Sequence, residues 1–124
     1  MKNYHTDNAP RALGPYSQAV ESNGLIYLSG QIGINSKTGE LAGRDIATQT
    51  AECCKNIKSI LISTGLTIKS VIKTTCFLTD IDDFAAFNEV YAKYFSHKPA
   101  RSCVAVKSLP KNALCEIEVI ALRE

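Results

Sequence analysis

The segment Leu114-Cys115-Glu116-Ile117-Glu118-Val119-Ile120-Ala121-Leu122 constrains the fold more than any other. It alternates as a strand does, with Cys115, Ile117, Val119 and Ala121 on one face. The opposite face carries Glu116 and Glu118 beside Leu114, Ile120 and Leu122. Solvent does not call for Ile120 and Leu122, and an apolar core does not accept two carboxylates. The strand therefore belongs in a sheet with one face on the core and the other lining a cleft. A second stretch, Pro99-Ala100-Arg101-Ser102-Cys103-Val104, has the same character, with Arg101, Cys103 and Ala105 alternating against Ser102, Val104 and Val106. The turn-forming run Ser108-Leu109-Pro110-Lys111-Asn112 between the two predicts a hairpin. A hairpin would set Arg101 and Glu116 on one sheet face: a guanidinium to hold a carboxylate, and a carboxylate to work on a water.

The rest of the chain supplies a core for these strands. Gly24–Ile32 reads as a strand paired to 17–22 across the Asn23-Gly24 turn, and 35–39 as a second turn. Asp45 is placed to cap a helix whose inner stripe is Ile46, Thr50, Cys53 or Cys54, Ile57 and Leu61, ended by Gly65. The β-branched run 70–79 predicts a strand with Ile72, Thr74, Cys76 and Leu78 on one face. Asp80 begins a second helix with the stripe Phe84, Phe87, Tyr91, Tyr94 and Phe95. The order β-β-α-β-α-β-β, with short connections, predicts a single α+β domain over 1–124, both helices on one face of a mixed sheet. The other face would carry Leu25, Tyr27, Ile120 and Leu122. Left bare it is a large apolar patch, so self-association is expected to close it and to put a site on that face between subunits.

Composition narrows the function. A chain of 124 residues with 45% apolar and 21% charged residues is ordinary for a globular domain. The formal charge of +2, from 14 basic and 12 acidic residues, is too small to argue for nucleic acid or an anionic membrane as partner. No run of 18 apolar residues predicts a membrane span, and no apolar leader follows Met1, so a cytoplasmic location is expected. The five cysteines, an odd count with no C-x-x-C, are read as reduced. His5 and His97 stand at no metal-ligand spacing, and no metal site is expected. Gly30-Gln31-Ile32-Gly33 precedes no helix and is not a phosphate loop.

Gly14-Pro15-Tyr16, Ser29-Gly30-Gln31, Lys73-Thr74-Thr75, Asp83-Phe84, Asn88, Pro99–Val104, Leu109-Pro110 and Glu116-Ile117-Glu118, in this order, make the chain resemble the RidA (YjgF) family of reactive intermediate/imine deaminases from about Ala9 to Arg123. The resemblance implies a chorismate-mutase-like fold assembled as a trimeric barrel with three sites at subunit interfaces. It implies cofactor-free hydrolysis of 2-imino acids and enamines (2-aminoacrylate, 2-iminopropanoate, 2-iminobutanoate) to 2-oxo acids and ammonia. Its functional positions fall on Tyr16, Ser29, Gly30, Asn88, Arg101, Cys103 and Glu116, with Arg101 and Glu116 catalytic. Typical members have a longer link than Ser96-His97-Lys98 before the proline, which leaves one pocket wall, and with it substrate size, open.

Each position has a plainer reading. Arg101 alone would pair with a surface carboxylate, Glu118 is structural or interfacial, Asn88 orients a loop or a neighbouring subunit, and Tyr16 anchors a turn. Cys103 has no histidine motif to activate it and is better read as pocket lining than as a nucleophile. Two other functions compete with the deaminase: a non-catalytic binder of 2-oxo acids using the same Arg101, and a ribonuclease or translation inhibitor. The last has little behind it, since the chain has no histidine pair and no aromatic-basic stacking pattern.

Overall fold

The computed structural model describes all residues, 1–124. The strands are β1 (Lys2–Tyr4), β2 (Ala19–Ser22), β3 (Leu25–Ile32), β4 (Val71–Leu78), β5 (Ala100–Ala105) and β6 (Cys115–Leu122); the helices are α1 (Ile46–Ser63) and α2 (Phe84–Tyr94). They form one six-stranded sheet in the order β1-β2-β3-β6-β4-β5. β4 and β5 run parallel and all other neighbours antiparallel, so the sheet is mixed as expected. The short edge strand β1 carries no strong pattern of its own; pairing of Lys2 with Glu21 and Tyr4 with Ala19 holds it in place.

Helix α1 begins where Asp45 accepts the Thr48 N–H at 2.9 Å, and Gly65, at φ +85°, lets the chain turn away from it. Asp80 does not cap α2 directly. It accepts the Asp82 N–H and starts a 3₁₀ turn, Ile81–Asp83, which runs into α2. α1 packs across β3 and β6 and beside α2. Ile57, Ile60 and Leu61 of α1 and Phe87 and Phe95 from the second helical segment close on Ile26, Cys76, Leu78, Cys115, Ile117 and Val119, all buried. All five cysteines are free. Cys53 and Cys115 meet at Sγ–Sγ 3.8 Å as packed thiols, and burial pushes the Cys76 thiol up to about 12.

Two further expectations need correction. β5 and β6 do not form a hairpin: β6 inserts between β3 and β4, and β5 pairs with the far side of β4. The physical reason is a division of labour. β6 has a complete apolar face that takes the middle of the sheet, whereas β5, with Ala100, Ser102, Val104 and Ala105 exposed, is suited only to an edge. The segment 106–114 is also longer than tight hairpin loops. The second correction concerns Ile72. Val71 pairs with Ala121 and Lys73 with Ile120, so β4 bulges by one residue there. The bulge turns Val71 inward in place of Ile72, which is 45% exposed.

Both helices lie on one face, and the other is open. Tyr27 is 42% exposed and Val104 46%, with Ile120 and Leu122 half-buried beside them.

Candidate active site

The anticipated site residues fall into two clusters on different surfaces. The first surrounds Glu116. Leu28 pairs with Val119 and Gln31 with Ile117, so β3 spends one residue more than β6 between these points, at Ser29-Gly30. This bulge opens a notch beside Glu116. A Cβ added at Gly30 would stand 2.8 Å from Glu116 Cδ and 3.0 Å from Oε2, so close approach of the carboxylate is what requires glycine here. The Ser29 hydroxyl donates to the Ser17 carbonyl at 2.6 Å, and the Ser29 N–H to the Gln18 carbonyl. Ser29 thereby fixes the bulge, and its hydroxyl is already engaged. Buried Gln18 accepts the Thr6 N–H and donates to the carbonyls of Thr6 and Pro10, pinning the segment that leads to Tyr16. The resulting cleft of about 410 Å³ is lined by Arg11, Tyr16, Gly30, Ile32, Lys111 and Glu116, among others. Burial raises the Glu116 carboxyl above its ordinary value, with the Glu118 charge a smaller cause in the same direction.

The second cluster surrounds Arg101. Its register partner is Thr74, and that of Cys103 is Cys76, so both face the helices. Arg101 Nη1 donates to Asn88 Oδ1 at 2.6 Å. Its guanidinium carbon lies 4.8 Å from the ring centre of Tyr91 and 5.5 Å from that of Phe84. Tyr91 is itself held by a 2.7 Å bond between its hydroxyl and Thr74 Oγ1. Two aromatic faces and one amide oxygen thus fix the plane of the guanidinium. Asn88 orients Arg101 of its own chain, a contact that neither of the readings weighed for it anticipated. Burial pushes the Cys103 thiol up, against a smaller opposing pull from Arg101. A protonated thiol suits pocket lining better than nucleophilic attack.

One chain does not bring Arg101 and Glu116 together. Glu116 pairs with Phe77 on the open face, while Arg101 pairs with Thr74 on the helix face. β5 lies two strands from β6, roughly 10 Å across the sheet. The shared face expected from a hairpin disappears with the hairpin. Tyr16, Gly30 and Glu116 line one cleft, Asn88, Arg101 and Cys103 occupy the far edge, and Ser29 braces the first group.

Sequence reasoning missed the two-ring platform, because Phe84 and Tyr91 fit a core stripe equally well. It also passed over Arg11, Gln18 and Lys111, which lie in connections whose path no periodicity reveals.

Fold and site together define a small α+β protein with a half-buried carboxylate of raised pKa in a bulge notch and a pre-oriented arginine on a separate surface. Residues 6–123 match the family described as Endoribonuclease L-PSP. A RutC family protein of Pyrococcus horikoshii is 50% identical over 120 residues, covering 96% of this chain and 95% of that protein. Reactive Intermediate Deaminase A, chloroplastic, of Arabidopsis thaliana is 48% identical over 94% of this chain and 63% of its own length. Among solved structures, the E. coli YjgF gene product superposes with a TM-score of 0.95 at 43% identity, and E. coli TdcF with bound serine with a TM-score of 0.95 at 41% identity; both cover 100% of each chain. The chain belongs to this Endoribonuclease L-PSP family, that of the YjgF/RidA proteins, which includes a reactive intermediate deaminase.

Proposed function

We propose that this protein is a cofactor-free hydrolytic deaminase of reactive 2-imino acids and their enamine tautomers, 2-aminoacrylate, 2-iminopropanoate and 2-iminobutanoate among them, and that it works as a homotrimer with its sites between copies. The observation that carries this is the division of labour in the chain. A half-buried carboxylate of raised pKa and a pre-oriented guanidinium are present, yet on opposite faces of one sheet. Each needs the other half from a second copy. The open face with Tyr27 and Val104, and the unpaired edge of β5, give that copy a surface to occupy.

In this reading Arg101 of one copy grips the substrate carboxylate, with Asn88, Phe84 and Tyr91 holding its plane. An enamine first takes a proton at its terminal carbon to become the protonated imine, the form in which an imine also reacts. Glu116 of the next copy accepts a proton from water as the water oxygen adds to the C=N carbon, giving a carbinolamine. It then returns the proton to nitrogen. The C–N bond breaks, ammonia leaves, and the remaining hydroxyl proton is lost to give the 2-oxo acid. The hydrolysis transfers no electrons between molecules, so it needs no redox cofactor. A carboxyl with a raised pKa suits both halves of the proton traffic at neutral pH. Tyr16 and the 10–16 segment shield the water, and Cys103 lines the clamp side.

The test is complementation. Arg101→Ala and Glu116→Gln proteins should each keep at most about a hundredth of the parent activity toward freshly generated 2-aminoacrylate. Unfolded and reassembled together in equal amounts, they should regain about one native site in four, since each site draws Arg101 from one copy and Glu116 from the next. No recovery in a mixed assembly would refute the shared site. A second reading, a binder of small carboxylates without turnover, is favoured by the serine bound to TdcF. Tight 2-oxo acid binding with no acceleration of imine hydrolysis would establish it. A ribonuclease has less to draw on, since His97 is tied to the Val71 carbonyl and His5 to Asp7.

A further inference from the structure

The cleft beside Glu116 is larger and more cationic than a three-carbon imino acid requires. Its volume of about 410 Å³ is in the range that takes a drug-sized molecule. Besides Glu116 it contains no acidic side chain, but it contains Arg11 and Lys111. Neither cation is neutralised by an acid: the ion pairs of this chain are His5–Asp7 and Arg123–Glu21. Lys111 is held rather than loose. Its Nζ donates to the Gly39 carbonyl at 3.2 Å, bridging two distant loops across the cleft wall. Lys111 and Asn112 stand at φ +57° and +55°. Two successive left-handed residues that are not glycine cost stability. The turn that presents the ammonium is therefore a strained one. Arg11, also in the lining, follows Pro10, whose carbonyl accepts from Gln18 Nε2 at 2.8 Å. Ile32 and Ile34 line the same cleft and supply its apolar surface.

We infer that Arg11 and Lys111 form a subsite for a second carboxylate, so that the cleft selects 2-imino dicarboxylates, the imines of four- and five-carbon 2-oxo diacids. The inference rests on the deaminase reading of this site and extends it to acidic side chains. Isoleucine side chains cover the methylenes, and the distal carboxylate meets two cations that have no other anion. The reaction is the same hydrolysis: water adds to the C=N carbon, the C–N bond breaks and ammonia leaves. Such a substrate arises from two-electron oxidation of the α-amine of an acidic amino acid.

The test compares ligands of equal length. Titration calorimetry with 2-oxopentanedioate and 2-oxopentanoate should show the diacid binding about tenfold more tightly, the lower end for charge-assisted bonds because both cations face solvent. Added salt should shrink the preference. Arg11→Gln combined with Lys111→Gln should bring the ratio near one, and Arg11→Gln alone should lower it if the double variant fails to fold. No preference for the diacid, or a preference that survives these variants, overturns the subsite. In parallel, imines made in situ by an amino-acid oxidase from alanine and from glutamate should be hydrolysed, with kcat/KM favouring the diacid in the same ratio. If neither imine is turned over, the deaminase reading falls, and the 2-oxo acid titrations still decide the subsite.

Discussion

Gly30→Ala should separate activity from stability in a way the geometry specifies. The new methyl would stand 2.8 Å from Glu116 Cδ, 3.0 Å from Oε2 and 3.1 Å from Cγ. Ordinary carbon contacts lie at about 3.5–4.0 Å, so the carboxylate must retreat by roughly 1 Å. A misplacement of about 1 Å in a reacting group is worth on the order of 10² in rate, and kcat/KM should fall by about that factor. Stability should change little. Gly30 is outside the left-handed region, so alanine fits its backbone, and the narrowed unfolded state returns about 0.4–1 kcal/mol against the cost of moving a flexible side chain. Gly33→Ala is the contrast. Its Cβ would meet the Gln49 carbonyl oxygen at 2.7 Å and Cα at 2.8 Å, backbone atoms of α1 that cannot swing aside. That variant should lose about 1–3 kcal/mol or more and melt well below the parent. Thermal melts beside turnover of enzymatically generated 2-iminopropanoate read both effects. A folded Gly30→Ala protein with near-normal kcat/KM would show that the placement of Glu116 is not used.

Glu116→Gln should lower kcat by roughly 10²–10⁴-fold, the usual weight of a positioned acid–base group. The same variant should melt higher than the parent at neutral pH: a carboxyl raised on folding contributes stability below its unfolded pKa and loses it as pH rises through the folded one. Melts at pH 7 and pH 4 check the sign, and an advantage that grows at the lower pH would contradict it. Cys103→Ala should keep most activity, since burial holds the thiol protonated; an inactive but folded and fully assembled variant would point to attack by sulfur. Glu21 joins Arg123 at 2.9 Å and Tyr4 at 2.6 Å, and these bonds hold its carboxyl at about 2. Its contribution is whole above the ordinary value of 4.5 and is lost as pH falls towards 2. Acid titration of wild type against Glu21→Gln should therefore show the wild-type advantage vanishing in that window.

Most strand faces and helix stripes are legible in the sequence, because burial leaves a period there: Cys115, Ile117, Val119 and Ala121, or Phe87, Tyr91 and Phe95, can be satisfied only one way. The same period marked Glu116 and Arg101 as misfits, and family motifs named the remaining site positions. Pairing was another matter. Nothing local distinguishes a hairpin from a strand that leaves β5, passes β4 and inserts beside β3, since partners of β6 are chosen by which neighbours complete its buried face. The bulges at Ser29-Gly30 and Ile72 depend on that pairing, for an extra residue exists only relative to a partner strand. So the candidate residues can be named one by one from the sequence, while their division between two faces of the sheet, the aromatic platform under Arg101 and the cleft containing Arg11 and Lys111 are decided by tertiary structure, where contacts between distant segments carry no local period.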